Sequence, residues 1–399
     1  MRFSLVLLLA SCAAAQPADD VDDALAHRDA DVSDALPLLA ELVRAWSAGG
    51  AADVRRVVAE RLRQGGVDVV EGEGSVVAGR GPLLLLVRLA DVPACRDPQG
   101  GVVVGDPPRL IGCGAQDLFG AAAFTLALVP PAAPGRHPKV TLAVVDDDAA
   151  LARVLQGRSW RDGWTPGGVL LTGADRDVFD VVAVDVGRLT LALTGADPDR
   201  VLVAAARAVS LPVRPRLPVV VADRLRVLDA GPFVERAADL ARDPKRRALV
   251  VDRCSLASFA PDRALVRCSA LPGRPLKDVV ADIVGAIDDP GVRVQLVSEQ
   301  EPSSTSLRAP LGRLLAQRAR SGSPRVVVAP ALDTALLPSA CHQLRVAGVS
   351  CLGALPLRLH PALRERRGHD DEVIAADAVV AAAAFVVDVV AALEAEVQP

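Results

Sequence analysis

"LLLLVRLADVPA", residues 83–94, is apolar without alternation and then enters a loop that contains Asp-Val-Pro. An apolar run of this kind indicates a strand that is buried on both faces, as in a parallel sheet. "KVTLAVVDDD" (139–148) has the same form and ends in three carboxylates, and "DLFGAAAFTLALV" (117–129) between them has the composition of an apolar helix. Strands that alternate with helices predict an α/β sheet with helices on both faces.

The pattern divides the chain after residue 34 into three parts. Residues 35–187 follow the α/β pattern and begin with two amphipathic helices, whereas residues 188–302 predict strand, helix, strand, helix, strand, a smaller inserted α+β unit. The α/β pattern resumes in residues 303–399, which end in the apolar helix "EVIAADAVVAAAAFVVDVVAALEAEV". Three carboxylates interrupt this helix, so it is predicted to pack within the protein rather than to span a membrane.

The N-terminus has the pattern of an export signal. "MRFSLVLLLASCAAAQ" (1–16) combines one positive charge, a short apolar run and small residues. Residues 1–15 are therefore predicted to be the signal, and "LASC" (9–12) resembles a bacterial lipobox whose Cys12 is lipidated. The alternative is ordinary cleavage after Ala13-Ala14-Ala15, which releases a soluble protein. Residues 16–34 are predicted to be an acidic tether, and the protein is expected in the cell envelope, or in the periplasmic or secreted fraction.

Cysteine usage agrees with export. If Cys12 carries lipid, an even number of cysteines remains for disulfides in an oxidising compartment, although buried free thiols fit the sequence equally well. No Cys-x-x-Cys occurs, so the cysteines predict no zinc motif. The pairing stays open among Cys95, Cys113, Cys254, Cys268, Cys341 and Cys351.

Charge and motifs exclude several classes of protein. The formal net charge of −4 gives no electrostatic basis for binding nucleic acid, and the basic clusters "DPKRRA" and "RERRGH" are expected to be solvated faces. No Gly-x-Ser-x-Gly occurs, which argues against a serine hydrolase. "GCGAQD" lacks the lysine that a phosphate-binding loop needs.

Four short stretches carry groups capable of catalysis or metal binding, in a fixed order. They are "LADVP" with Asp91, "GCGAQDLFG" with Asp117, the triplet Asp146-Asp147-Asp148, and "GHDDE" with His369. Their order and surroundings resemble the two-metal peptidase family of carboxypeptidase S, aminoacylase, acetylornithine deacetylase and succinyl-diaminopimelate desuccinylase (peptidase family M20). The resemblance covers nearly all of the chain after the export signal. It implies a three-layer α/β/α catalytic domain interrupted by a ferredoxin-like lid, through which two copies of such a chain can form a homodimer.

The resemblance implies roles for five residues of this sequence. Asp117 matches the carboxylate that bridges the two metals, and Asp91 matches the aspartate that orients the first histidine ligand. Asp147 matches the general base that takes a proton from the metal-bound water. Asp148 and His369 match ligands of one of the two metals.

Other family positions are substituted in this chain. Leu89 stands where the first histidine ligand would be, and Leu171 where a fourth carboxylate ligand would be. Cys113 replaces an arginine of the second motif. In the lid, Asp199 and Ser269 replace the histidine and the arginine that hold the substrate.

In the family, one of the two metals has two ligands that the other metal does not share. Leu89 and Leu171 stand at both of those positions here, so the substitutions affect that metal site. The other site could be formed by Asp117, Asp148 and His369, so the sequence predicts either no metal or one divalent metal, zinc first.

Three hypotheses follow. The favoured one is a degenerate, exported member of the family that acts as a cell-envelope binding protein, with the N-terminal lipid as its only contact with the membrane. The alternatives are a one-metal hydrolase that cleaves the amide bond of N-acyl amino acids or small peptides, and an ordinary two-metal carboxypeptidase-like hydrolase.

Overall fold

The computed structural model describes residues 32–93, 100–129, 139–156, 158–168, 170–171, 177–211, 215–228, 233–244, 246–322, 325–336, 339–360, 363 and 366–396. They form a large mixed sheet between helices and an inserted four-stranded domain. The predicted fold class, a three-layer α/β/α domain with a ferredoxin-like insertion, is thereby confirmed. The export signal, Cys12, Cys95 and most of the acidic tether lie outside the described residues.

The large sheet has eleven strands, nine of them in the order β1-β2-β6-β3-β7-β16-β9-β8-β17, with β14 and β15 also paired to β9. Its core is parallel, because β3 runs parallel to both β6 and β7, and β7 runs parallel to β16. The strands are β1 Val69–Gly72, β2 Ser75–Gly79, β3 Leu83–Arg88, β6 Val140–Val145, β7 Asp162–Thr165, β8 Leu170–Leu171, β9 Asp177–Asp185, β14 Ser303–Ser304, β15 Val326–Asp333, β16 Ser350–Gly353 and β17 Arg358–Leu359.

Burial on both faces holds this sheet in place. Along β3, Leu83 and Leu85 belong to one hydrophobic cluster, while Leu84 and Leu86 belong to another on the opposite face. Each of these four leucines is at most 1% exposed. The opening stretch of sequence therefore forms the doubly buried strand that its lack of alternation predicts.

Helices cover both faces. On the face with Leu83 lie α1 Ala35–Gln64, α2 Ala115–Leu128, α8 Pro310–Gly322 and α10 Ala376–Glu396, and on the face with Leu84 lie α3 Asp148–Leu155 and α9 Ala340–Val346. The two predicted N-terminal helices form one element, α1, which breaks at Gly50, where φ is 65°. Only glycine adopts that backbone conformation readily.

The C-terminal helix packs within the protein, as predicted. Among the described residues, Ala376–Ala395 is the one helix long and apolar enough to cross a membrane, yet 50% of its apolar window is buried inside the protein. Val379, Val386 and Val390 pack in the main core, where α10 contacts α1, α2 and α8.

The inserted domain has the ferredoxin-like order. Its antiparallel sheet runs β11-β12-β10-β13, and its two core helices contribute Val201 and Ile283 to the domain's own hydrophobic cluster. Its elements are β10 Gly187–Thr194, α4 Pro198–Val209, α5 Val219–Val227, α6 Phe233–Arg242, β11 Arg253–Ala260, β12 Arg263–Ala270, α7 Leu276–Ile287 and β13 Arg293–Gln300. A separate three-stranded sheet contains β4 Val102–Val104, β5 Arg109–Ile111 and β18 Val373–Ala375.

The predicted order of elements in residues 188–302 is wrong in two respects, because it lacks two helices and one strand. Two additional helices, α5 and α6, lie between α4 and β11, and β11 and β12 form a hairpin. α5 packs against β15 of the large sheet and buries Val220 and Val221. Its sequence, "VVVADRLRV", begins with three β-branched residues, and these hide its helical character from pattern analysis.

A buried charge cluster joins the inserted domain to the large sheet. Asp185, the last residue of β9, is fully buried and forms an ion pair with Arg345 of α9. It also accepts hydrogen bonds from Ser339 (2.7 Å) and from Ser303 (3.4 Å), which lies on the segment that returns from the inserted domain. Asp185 therefore connects both segments of chain that cross between the domains.

Arg188 extends this cluster into the inserted domain. Its Nη2 atom lies 3.5 Å from Asp185 and 3.6 Å from Asp333, and its Nε donates to the carbonyl of Ala335 at 2.9 Å. Burial, together with the neighbouring Asp185 carboxylate, raises the pKa of Asp333 to about 6. Since two carboxylates share two buried arginines here, no member can be removed without leaving a buried charge.

Asp185→Ala should therefore destabilise the protein by about 3–5 kcal/mol, because the buried Arg345 and Arg188 lose their shared partner. Urea unfolding followed by circular dichroism measures this change. The control is Glu41→Ala, at an exposed position in the interior of α1, which should change the free energy of unfolding by less than about 0.5 kcal/mol. Equal effects of the two substitutions would contradict the structural role of Asp185.

Candidate functional site

Asp91 and the triplet Asp146-Asp147-Asp148 lie at the carboxyl ends of β3 and β6. This is the usual place for a site in an open α/β sheet. Arg88 ends β3 and lies beside Val145, which ends β6. Leu89–Asp91 then form a single 3₁₀ turn, fixed by a hydrogen bond of 2.8 Å from the Ala90 N–H to the Asp146 carbonyl. This bond holds the two strand ends together.

Arg88 is the centre of the site. Its Nε lies 3.1 and 3.2 Å from the two carboxylate oxygens of Asp91, and its Nη1 lies 2.5 Å from Oδ1 of Asp148. The Arg88 side chain is only 6% exposed, whereas those of Asp91 and Asp148 are 43% and 46% exposed. Arginine does not lose its proton in proteins, so a permanent positive charge lies between the two carboxylates.

A second arginine holds the third carboxylate. Nε of Arg367 lies 2.8 and 3.1 Å from the two oxygens of Asp117, and Nη2 completes a two-pronged ion pair. Asp117 lies in the first turn of α2, and its side chain is 9% exposed. Burial raises the pKa of Asp117, and the Arg367 guanidinium opposes that shift.

Glu372 lies beneath Asp117 and has a structural role. Its carboxylate is fully buried and accepts hydrogen bonds from the backbone N–H groups of Gly114 (3.2 Å), Gln116 (2.5 Å) and Gly368 (2.9 Å). Two of these donors are at the start of α2, so Glu372 satisfies N–H groups that the helix leaves unpaired. Burial raises the pKa of Glu372 to about 7, although the N–H donors favour its charged form.

The remaining candidates have other partners. Asp147, the predicted general base, is exposed and caps α3, because its carboxylate accepts a hydrogen bond from the Ala150 N–H at 2.8 Å. Asp146 pairs with Arg55 at 2.8 Å. His369 is an exposed residue of the turn before β18.

The predicted single metal site of Asp117, Asp148 and His369 is not assembled. In the part of the chain that the structure describes, no group of three His, Cys, Asp or Glu residues could hold a metal ion. Two of the three predicted ligands form ion pairs with arginines: Asp117 pairs with Arg367, and Asp148 pairs with Arg88. In this arrangement, carboxylate oxygens of Asp117 and Asp148 that a divalent metal would need are paired with guanidinium groups.

The substituted family positions have ordinary structural surroundings. Leu89 is 1% exposed, in the main core, and Cys113 is buried and disulfide-bonded. Leu171 lies in β8, with its side chain outside the described residues. In the lid, Asp199 is exposed in the first turn of α4, and Ser269 is buried near the end of β12.

Neither Arg88 nor Arg367 was predicted from the sequence as part of the site. Arg88 had a usable signal, since a charge at the end of an all-apolar strand needs a partner when it is buried. Arg367 belongs to "RERRGH" and is 55% exposed, in line with a solvated face, but it also pairs with Asp117, which that expectation did not include. Its partner, Asp117, is 250 residues away, and no local pattern indicates such a contact.

The disulfides resolve part of the open pairing. Cys254 is bonded to Cys268 across the β11–β12 hairpin, where the two residues are direct partners in register. Cys341 is bonded to Cys351 and links α9 to β16. With Cys113, every cysteine in the described ranges is oxidised.

This combination of catalytic-type sheet and inserted ferredoxin-like domain is the fold of the M20 peptidases. Solved structures with the same fold include human carnosine dipeptidase 1, which has 13% identity and a TM-score of 0.61 and covers 94% of this chain and 100% of that one. A metallo-carboxypeptidase of the M20 family from Sulfolobus solfataricus has 13% identity, a TM-score of 0.63 and coverage of 89% and 98%. A dipeptidase from Saccharomyces cerevisiae has 10% identity, a TM-score of 0.58 and coverage of 94% and 99%. No family model and no curated protein sequence matches the chain.

Glu372 should make stability depend on pH. Its pKa is higher in the folded protein, about 7 against an ordinary 4.5, so the folded state holds the proton more tightly. The stabilising contribution is complete below pH 4.5 and is lost as the pH rises through 7. The free energy of unfolding of wild type minus that of Glu372→Gln should therefore fall by about 3 kcal/mol between pH 4 and pH 8. A constant difference in urea titrations across that range would contradict this assignment.

Proposed function

We propose that this protein is an exported binding protein with the M20 peptidase fold that does not hydrolyse amide bonds. The observation that carries the proposal is the pairing of Asp91, Asp117 and Asp148 with Arg88 and Arg367. A two-metal hydrolase of this fold would need the carboxylates at Asp117 and Asp148 as free metal ligands, the carboxylate at Asp91 to orient a histidine ligand, and a base beside the metal-bound water. Here a fixed positive charge repels a divalent cation from the same oxygens.

Burial makes this arrangement durable. The Arg88 side chain is 6% exposed, so it cannot turn out into solvent to release its two carboxylates without leaving the core around β3. The Arg367 side chain is 55% exposed, so it hinders metal binding less than Arg88 does. The candidate base, Asp147, is committed to capping α3, a structural role that needs no metal.

The ligand that we propose for the site at the carboxyl ends of β3 and β6 is a small peptide or an N-acyl amino acid. Support comes from the fold, because the solved structures with this fold include a carnosine dipeptidase and a metallo-carboxypeptidase.

Elemental mass spectrometry of protein purified without chelator and then offered zinc tests the loss of the metal. We expect no bound metal and no hydrolysis of dipeptides or N-acyl amino acids. The double variant Arg88→Ala/Arg367→Ala should acquire a divalent cation, because three carboxylates lose their counter-charges, whereas the control Arg55→Ala should not. One metal per chain in wild type would instead favour the one-metal hydrolase, and two would favour the ordinary two-metal enzyme.

Export is supported by the oxidised cysteines. Disulfides persist in oxidising compartments and are rare in the cytosol, and both Cys254–Cys268 and Cys341–Cys351 are formed. We therefore propose that the export signal is followed by a lipid anchor on Cys12. Cell fractionation should find wild type with the membranes and Cys12→Ser in the soluble fraction. Soluble wild-type protein would favour cleavage after Ala13-Ala14-Ala15.

We also propose that the protein forms a homodimer through the inserted domain. β11 and β13 are the edge strands of its sheet, and they expose Phe259 (43%), Leu296 (41%) and Val297 (50%). Exposed apolar edge strands are templates for pairing with another chain. Light scattering measures the mass in solution, and a value near 41.4 kDa would contradict the dimer.

A further inference from the structure

A groove runs along α8 and consists of two adjoining cavities that share Arg308. The first has a volume of about 450 Å³ and is lined by hydroxyl-bearing residues, among them Ser304, Ser306 and Ser350. The second has a volume of about 630 Å³ and lies against the outer face of α8. Volumes of this size are typical of ligand-binding clefts. We call the two cavities together the Arg308 groove.

Among the described residues, every charged side chain that lines the Arg308 groove is an arginine. Arg308, Arg313 and Arg320 are exposed there, and no described aspartate or glutamate lines either cavity. Across the ranges that the structure describes, none of the three forms an ion pair with a carboxylate. Arg318, on the same helix, does pair, with Asp388 at 3.3 Å. Arg345, which also lines the first cavity, has a buried side chain that pairs with Asp185. In a protein with a net charge of −4, Arg308, Arg313 and Arg320 therefore form a local concentration of exposed positive charge.

The arginines are regularly spaced. Arg313, Gln317 and Arg320 follow one another at intervals of four and three residues, which places them on one face of α8. Seven residues of helix advance by about 10 Å, so the two guanidinium groups are anchored about that far apart. Between them the floor of the groove is apolar, with Leu307, Ala316 and Val328.

We propose that the Arg308 groove binds an acidic peptide segment in an extended conformation. A polyproline II chain has three residues per turn and rises about 3.1 Å per residue, so carboxylates three residues apart lie on one side and about 9 Å apart. That spacing matches Arg313 and Arg320, and guanidinium groups bind carboxylates through paired hydrogen bonds. Apolar residues between the carboxylates would cover the floor, and the serine hydroxyls could meet the peptide backbone.

The regular spacing of the arginines and the apolar residues between them favour a peptide, and binding to an anionic membrane is an outcome of the test below. The proposal concerns a second site and does not depend on the function proposed for the site at the carboxyl ends of β3 and β6. Its residues are separate from Arg88, Arg367 and their carboxylate partners.

Isothermal titration of the full chain with the peptide acetyl-Asp-Pro-Val-Asp-Pro-Val-Asp-amide tests the proposal. We expect saturable binding that weakens several-fold between 50 and 300 mM NaCl, because the contacts are exposed ion pairs. Arg313→Gln/Arg320→Gln should weaken binding roughly tenfold, as expected for two such pairs. Arg263→Gln, which removes an exposed arginine of the inserted domain, should leave binding unchanged and serves as the matched control.

Three outcomes would overturn the proposal. They are equal binding of the Asp→Asn peptide, equal effects of the α8 double variant and the Arg263 control, and binding only to phosphatidylglycerol vesicles. Circular dichroism of the double variant establishes that it is folded. Since both substituted side chains are exposed, a loss of binding with an unchanged spectrum assigns the site to the Arg308 groove.

Discussion

The burial of the central parallel strands on both faces is the constraint on which the rest of the structure depends. β3 contributes leucines alternately to the two cores, so neither layer of helices can be removed without exposing the same strand. The apolar clusters on both sides contain none of the carboxylates of the site. The fold is therefore specified independently of the chemistry at the strand ends, which explains how Leu89 can replace a histidine without disturbing the sheet.

A buried charge is unfavourable unless groups of opposite charge surround it, and the structure contains two such buried charges with partners. Arg88 at the end of β3 and Asp185 at the end of β9 are both almost inaccessible, and each is surrounded by groups of opposite charge on different elements. Such pairs contribute little net stability, because desolvation offsets attraction, but their geometry is costly to break. They therefore fix orientation: Arg88 joins the two strand ends of the site, and Asp185 fixes the inserted domain on the sheet.

Local sequence pattern was sufficient to predict the strands and helices that form the layers of the fold. It was insufficient to predict which side chains of the site contact one another. The doubly buried β3 and β6, the apolar α2 and the packed α10 follow from apolar runs and their length, since those signals lie within each segment. The helices α5 and α6 were missed because β-branched residues begin the first of them. The contacts that define the site were missed for a different reason: Arg88 reaches Asp148 across 60 residues and Arg367 reaches Asp117 across 250. Only the folded sheet brings those residues together. His369 was singled out from the short motif "GHDDE", and in the structure it lies in an exposed turn.

The positions of the carboxylates explain why they fit this structure without a metal. Asp117 and Asp148 lie in the first turns of α2 and α3, and Asp147 is the N-terminal cap of α3. A negative charge at a helix N-terminus is stabilised by the helix dipole and by unpaired N–H groups, each effect contributing about 0.3–2 kcal/mol. The same backbone geometry that presents carboxylates to a metal thus stabilises them in its absence. Guanidinium groups supply positive charge at the same place, because Arg367 pairs with Asp117 and Arg88 pairs with Asp148.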